Sequence, residues 1–182
     1  IAPLVHGQSL FEQGLNEFRA ENYEEALPYF LEARAADKGS ARIAYYIGLT
    51  YKAMERYKDA IPYFRDGATL TPRVDEAVVE LVDVLYYTNN NREAEKWIAV
   101  AEKEGMDTAR LQFLKGFVFA KAGKLDEAIA AFEKAKKMDP GLTQQAELQI
   151  AGILAQQGRF KDAQARLRTT ITLDPASDLA LY

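Results

Sequence analysis

The chain has 182 residues, 48% hydrophobic and 27% charged, a composition of ordered globular chains rather than disordered ones. A net charge of -4 and a pI of about 5.2 argue against a nucleic-acid partner, which needs a basic face. With no cysteine, disulfides, thiolate zinc sites and cysteine nucleophiles are excluded, and cytoplasm and bacterial periplasm are both permitted.

Residues 1–6 open with the apolar stretch Ile1 to Val5, read as an N-terminal extension that serves as a linker or packs over the first helices. The start without methionine points to a chain trimmed, processed or cut from a longer parent. No apolar run reaches the roughly 18 to 20 residues that a membrane span requires.

From Gly7 onward a single pattern recurs. Its first copy, about 7–40, has an apolar helical stretch through Gly14, a short polar turn, then Ala26, Phe30 and Ala33 at helical spacing and a stop at Gly39. The second, about 41–74, opens with ARIAYYIGLTYKAM and continues through Ala60, Phe64 and Gly67 to Pro72. The third, about 75–108, carries Ala94, Ile98 and Ala101 and stops at Gly105. The fourth, about 109–143, runs through Gly116, Ala128, Phe132 and Ala135 to Pro140. The fifth, about 144–177, comes one residue late, with Ala163, Leu167 and Thr170 before Pro175. Apolar residues recur at helical spacing, proline and glycine mark the helix ends, and no stretch shows sustained strand alternation. Each copy therefore reads as two helices. A period of this length means stacked supersecondary units, since one pair of helices cannot bury its face alone. The tail, Ala176 to Tyr182, reads as the start of a capping or further helix.

The pattern resembles the tetratricopeptide repeat, W-x2-L-G-x2-Y, then A-x3-F, then P. The second copy matches it best, with Ile47, Gly48, Tyr51, Tyr57, Ala60, Phe64 and Pro72. The third departs, with Val82 at the glycine position and Asn91 at the aromatic turn position. This reads as drift of a degenerate repeat, or as a change of curvature near Tyr86 and Tyr87. The resemblance implies an all-α fold: a right-handed superhelical α-solenoid of five tandem helix-turn-helix repeats. In it, glycine and alanine let paired helices approach closely. Pro28 and Pro62 are expected near helix starts, where few backbone donors have partners to lose. Trp97, Tyr29 and Tyr63 are expected to pack between repeats.

No catalytic constellation is legible. The lone histidine, His6, has no second ligand for a metal, the few serines have no adjacent base, and no phosphate-cradling glycine loop occurs. Acidic residues such as Glu24, Glu25, Asp126 and Glu127 open second helices, where they complement the helix dipole. No enzyme, metal or cofactor is expected.

What remains is binding. The resemblance implies that first helices line a concave groove, at set offsets from the glycine position. Those offsets select Phe11, Leu15, Phe18 and Arg19; Arg42, Tyr45, Leu49 and Lys52; Tyr86 and Tyr87; and Arg110, Phe113, Phe117 and Lys121. So many aromatic side chains on a surface facing water mark a contact site, though packing between adjacent first helices would equally account for several of them. The carboxylate clamp of the family's chaperone-binding members is missing, because its positions hold Phe11, Leu15, Tyr46, Glu76 and Glu80. The cations would instead flank an apolar peptide with some acidic residues. The expected function is a non-catalytic scaffold holding a partner protein or peptide. The alternative is a self-associating array or an assembly domain of a larger complex or enzyme.

Overall fold

The computed structural model describes residues 2–173, with side chains over 9–168 and at 170. Ten α-helices lie among the described residues. They are α1 (Ala2–Arg19), α2 (Tyr23–Ala36), α3 (Ala41–Ala53), α4 (Tyr57–Thr69), α5 (Asp75–Tyr87), α6 (Asn91–Lys103), α7 (Ala109–Lys121), α8 (Leu125–Met138), α9 (Thr143–Gln156) and α10 (Phe160–Leu173). A 3₁₀ turn, Pro140–Leu142, precedes α9, and no strand occurs among the described residues. The chain is all-helical, with roughly five helix pairs in tandem. Helix α1 begins at Ala2, so the stretch read as an extension supplies its first residues. The tail from Ala176 lies outside the described residues.

Each odd-numbered helix hands over to the next through the same turn. The amide of Asn22 donates to the Glu17 carbonyl and that of Glu21 to Phe18. Arg56 and Glu55, Asn90 and Asn89, Lys124 and Gly123, and Arg159 and Gly158 repeat this geometry. It is the Schellman cap, which satisfies the last carbonyls of a helix and needs one residue in the left-handed region. Those residues are Glu21, Glu55, Asn89, Gly123 and Gly158, with φ of 63°, 58°, 62°, 77° and 76°. Only the last two are glycine, the residue that adopts this region without steric cost.

Two compact units divide the chain, Ile1–Trp97 and Ile98–Tyr182. In the first, α1 to α5 pack in sequence order around Phe30 and Phe64, both fully buried. These two rings occupy the space that the glycines leave. A Cβ on Gly14 would lie 2.6 Å from the Phe30 ring, and one on Gly48 would lie 2.7 Å from Phe64. In the second unit Gly116 and Phe132 form the same interlock, at 2.6 Å. The glycine positions thus receive an aromatic ring from the paired helix rather than a close backbone approach. Real Cβ atoms do not come this near, so any larger side chain must displace the ring. Where the pattern drifts within the second unit, Ala151 stands at the glycine position and Leu167 at the ring position. Ala151 belongs to the core around Phe132, Ile150 and Leu154, with Leu167 packed against it.

The alanine positions Ala26, Ala60, Ala94 and Ala128 are fully buried. Gly67 closes against the next helix, where a Cβ would come 2.9 Å from that of Ala77. Pro28 and Pro62 lie inside α2 and α4, each the sixth residue of its helix. That is beyond the first turn, so each removes one helical hydrogen bond, a correction to their expected place. Tyr63 stacks on Tyr51 at 5.5 Å and 27°, joining α3 to α4 within one pair.

Candidate interaction surface

Helical spacing puts Arg42, Tyr45, Leu49 and Lys52 on one face of α3, since residues three and four apart are neighbours. Phe11, Leu15 and Phe18 share a face of α1 in the same way, and Asp83, Tyr86 and Tyr87 one of α5. Phe11 and Leu15 are 7% and 2% exposed. They belong to the core, so as surface residues they are corrected. Phe11 lies 5.5 Å from Phe30 and 5.4 Å from Tyr46 between ring centroids. Phe18 is half-buried, packing edge-on against Tyr23 at 5.3 Å and Tyr46 at 5.8 Å. Tyr45, also half-buried, reaches Tyr46 at 5.7 Å and Phe64 at 6.1 Å. Arg19 and Arg42 are exposed, and the Arg42 guanidinium sits 5.0 Å from the centre of the Phe11 ring. Leu49 is half-buried.

Lys52 is committed elsewhere. Its ammonium lies 2.6 Å from a Glu80 carboxylate oxygen and also bridges to Asp83. Both acids are nearly buried, at 5% and 8% exposure. Burial alone would lower the Lys52 pKa, but the hydrogen bonds and charges of Asp83 and Glu80 outweigh it and raise the value. The pair of acids needs this cation, because a buried carboxylate without a partner is costly. In the sequence Lys52, Glu80 and Asp83 stand as separate charges on first helices. Their coupling across neighbouring helices was not legible, because nothing in the spacing says which side chains meet.

At the end of α5, Tyr86 is half-buried and Tyr87 is 55% exposed. Burial, and then Tyr87, push the Tyr86 hydroxyl pKa up. Tyr87 stacks face to face on Tyr57 at 4.9 Å and 14°. The stack lines an open notch of about 440 Å³ with Arg56, Lys58 and Asn89. Tyr57 is a contact that the sequence pattern had assigned to the turn alone.

In the second unit, Phe113 and Phe117 on α7 are half-buried and contact each other at 5.1 Å. Both rest on Phe132, at 5.2 and 5.3 Å, so each serves the core on one side and is open on the other. Arg110 and Lys121 bracket them, exposed at the two ends of α7. A second cluster links α8, α9 and α10. Glu147, 3% exposed, is held by Lys136 and by Arg166, 3.2 Å away. Arg166 also reaches Glu133 at 2.7 Å. These groups join adjacent helices. No group of three histidines or acids could hold a metal ion among the described residues. No helix among them is long and apolar enough to cross a membrane.

Comparison with known proteins agrees with this architecture. A family profile described as tetratricopeptide repeat matches residues 11–78 and 79–143, and a second of the same description matches 119–181. No curated protein matches significantly in sequence. Among solved structures, MamA from Desulfovibrio magneticus RS-1 (residues 41 to the end) superposes with a TM-score of 0.86 at 20% identity, covering 95% of this chain and 97% of that one. YrrB, described as a TPR protein with an unusual peptide-binding site, has a TM-score of 0.81 at 23% identity, covering 94% and 88%. A thermophilic TPR protein of Thermus thermophilus gives 0.66 at 20% identity, covering 96% and 95%. At these identities the likeness establishes the fold.

Proposed function

The chain belongs to the tetratricopeptide repeat family, a family of protein-interaction scaffolds, and from that premise we propose that it holds a segment of a partner protein on the faces of the odd-numbered helices within a unit. The observation that carries this reading is the set of partly exposed aromatic rings there: Phe18, Tyr45, Tyr86 and Tyr87 in the first unit, and Phe113 and Phe117 in the second. Rings held rigidly on one side and open on the other lose little entropy on contact, and tyrosine is a frequent energetic anchor. YrrB, of like fold, is described as having a peptide-binding site, which supports the reading by analogy. Arg19, Arg42, Arg110 and Lys121 supply exposed charge beside the rings. Phe11 and Leu15 support the surface from beneath, and Lys52 pairs with Glu80 and Asp83, a cluster of one cation and two carboxylates.

The test compares the wild-type chain with a Tyr45→Ala/Tyr87→Ala variant of matched circular dichroism, as baits in a native extract. Loss of an anchor costs about 2 kcal/mol. A bound protein should therefore be retained by the wild type and released from the variant. Equal capture by both would remove the proposed surface from the interaction.

A second reading, self-assembly, draws on Phe160. It opens α10 and is 69% exposed, although the equivalent Tyr23 and Tyr57 each touch another ring. Recovery of this chain alone on the bait would favour that reading.

A further inference from the structure

We infer that the chain joins a second copy of itself by setting the Phe160 ring of one copy into the notch at Tyr57 and Tyr87 of the other. The contact rests on the self-assembly reading above and gives it two named surfaces. Phe160 opens α10 and is 69% exposed, one of four large apolar side chains exposed among the described residues. At the matching turn position of α4, Tyr57 is covered by Tyr87 of the next helix, ring on ring at 4.9 Å. The first unit therefore shows how a ring at this position is satisfied, and Phe160 lacks that cover among the described residues. Tyr87 in turn is 55% exposed and turns its outer face to the open notch that it lines with Glu55, Lys58 and Asn89. A ring entering there completes a stack of three, and aromatic pairs contribute beyond the area that they bury.

Charge favours the same pairing. Residues 1–97 hold 16 Asp and Glu against 11 Lys and Arg, and residues 98–182 hold 11 against 12. The unit with the notch is therefore acidic, and the unit with Phe160 is not. The imbalance reaches the surfaces themselves. The notch and its neighbour, which share Arg56, are lined by Glu21, Glu24, Glu25, Glu55 and Asp59 against Arg56 and Lys58. Arg56 and Asp59 pair at 2.8 Å, which leaves four exposed acids against one lysine. Around Phe160 the balance is reversed. Arg159 and Asp162 pair at 2.9 Å. Lys161 and Arg168 stand exposed without an ion pair among the described residues, seven residues apart and so on one side of α10. Opposite potentials on two surfaces steer their encounter and fix its register, whereas two notches or two α10 surfaces would repel. The contact thus joins unlike surfaces. Each copy carries one of each, so association propagates until it closes on itself.

Sedimentation velocity of the full chain tests the contact. The average mass should rise with protein concentration and fall back on addition of salt, which screens the acids from the cations. Phe160→Asp and Tyr87→Ala each change an exposed side chain and should keep the wild-type circular dichroism. Each should weaken association about thirtyfold, the loss of one anchor. An equimolar mixture of the two, at a concentration where each alone is monomeric, should yield a dimer and grow no further. In that dimer the intact Phe160 of one variant meets the intact notch of the other. A mixture that stays monomeric overturns the pairing of these two surfaces. A variant that associates as the wild type does overturns the contact and leaves self-assembly standing. A wild type that is monomeric at every concentration overturns self-assembly and this contact together. The partner-segment reading has a separate readout, the capture of a bound protein, and stands or falls on that.

Discussion

Gly48 and Phe64 show how one residue is dictated by another sixteen positions away. The ring fills the space in which a Cβ would stand, 2.7 Å from its nearest carbon, and both residues are buried. The same is true of Gly116 and Phe132. The two positions therefore share one volume, and their energetics should be coupled. Gly116→Val should cost about 2 kcal/mol or more by overpacking. Phe132→Ile should cost about 1 to 2 kcal/mol by leaving a void. The double variant should recover at least about 1 kcal/mol relative to their sum, as contacting sites do. Urea unfolding of the four proteins measures this, and strict additivity would mean that the two residues do not share the space. The glycine was legible in the sequence as a packing position. Its partner was not, because periodicity locates a buried face and not the atom that fills a gap.

At the scale of the element, the recurrent turn is the part that the sequence concealed. Helix boundaries were legible from Gly39, Pro72, Gly105 and Pro140, which lie just beyond α2, α4, α6 and α8. The left-handed residue inside each pair was not. Glutamate stands there twice, at Glu21 and Glu55, and no propensity points to glutamate at positive φ. An L-residue pays about 1 to 2 kcal/mol in that region, which glycine avoids. Glu55→Gly should therefore raise stability by about 0.5 to 1 kcal/mol, seen as a higher thermal midpoint. The reverse change at a glycine of the same turn, Gly123→Ala, should lower it. A Glu55→Gly midpoint equal to or below the wild type would mean that the glutamate side chain contributes enough locally to offset the strain.

For the whole molecule, charge pairs between neighbouring helices set the pH range of stability. The Lys134 hydrogen bond, opposed by slight burial, holds the Asp107 carboxyl below its ordinary value of 3.8. For Glu133, burial alone would raise the pKa, but Lys136 and Arg166 hold it below its ordinary 4.5. A depressed folded pKa means that the stabilisation is complete above the ordinary value and is lost as pH falls through the folded one. Lys52 and Lys136 are raised above 10.5 despite burial, by their carboxylate partners. Their contribution is complete below that value and is lost as pH rises through the folded one. Thermal midpoints should thus hold level near neutrality and fall below about pH 4.5. Asp107→Asn should lessen the acid loss modestly, since that side chain is largely exposed; an unchanged acid limb would assign it to other groups. The fold was legible because five repetitions of one apolar period leave few alternatives. The surface was less so: spacing chose the helix faces, but whether Phe11 is covered or Lys52 engaged depends on neighbours that a one-dimensional pattern does not contain.

The shared volume of glycine and ring also ranks the changes that a repeat can absorb. Three repeats hold glycine with phenylalanine, and the fifth holds alanine with leucine. A change from the first pairing to the second passes through one of two intermediates. Alanine against phenylalanine drives a carbon into an occupied ring, 2.6 Å away at Gly116, whereas glycine against leucine leaves only a gap. The gap is the milder step, so the ring position tolerates a first substitution better than the glycine does.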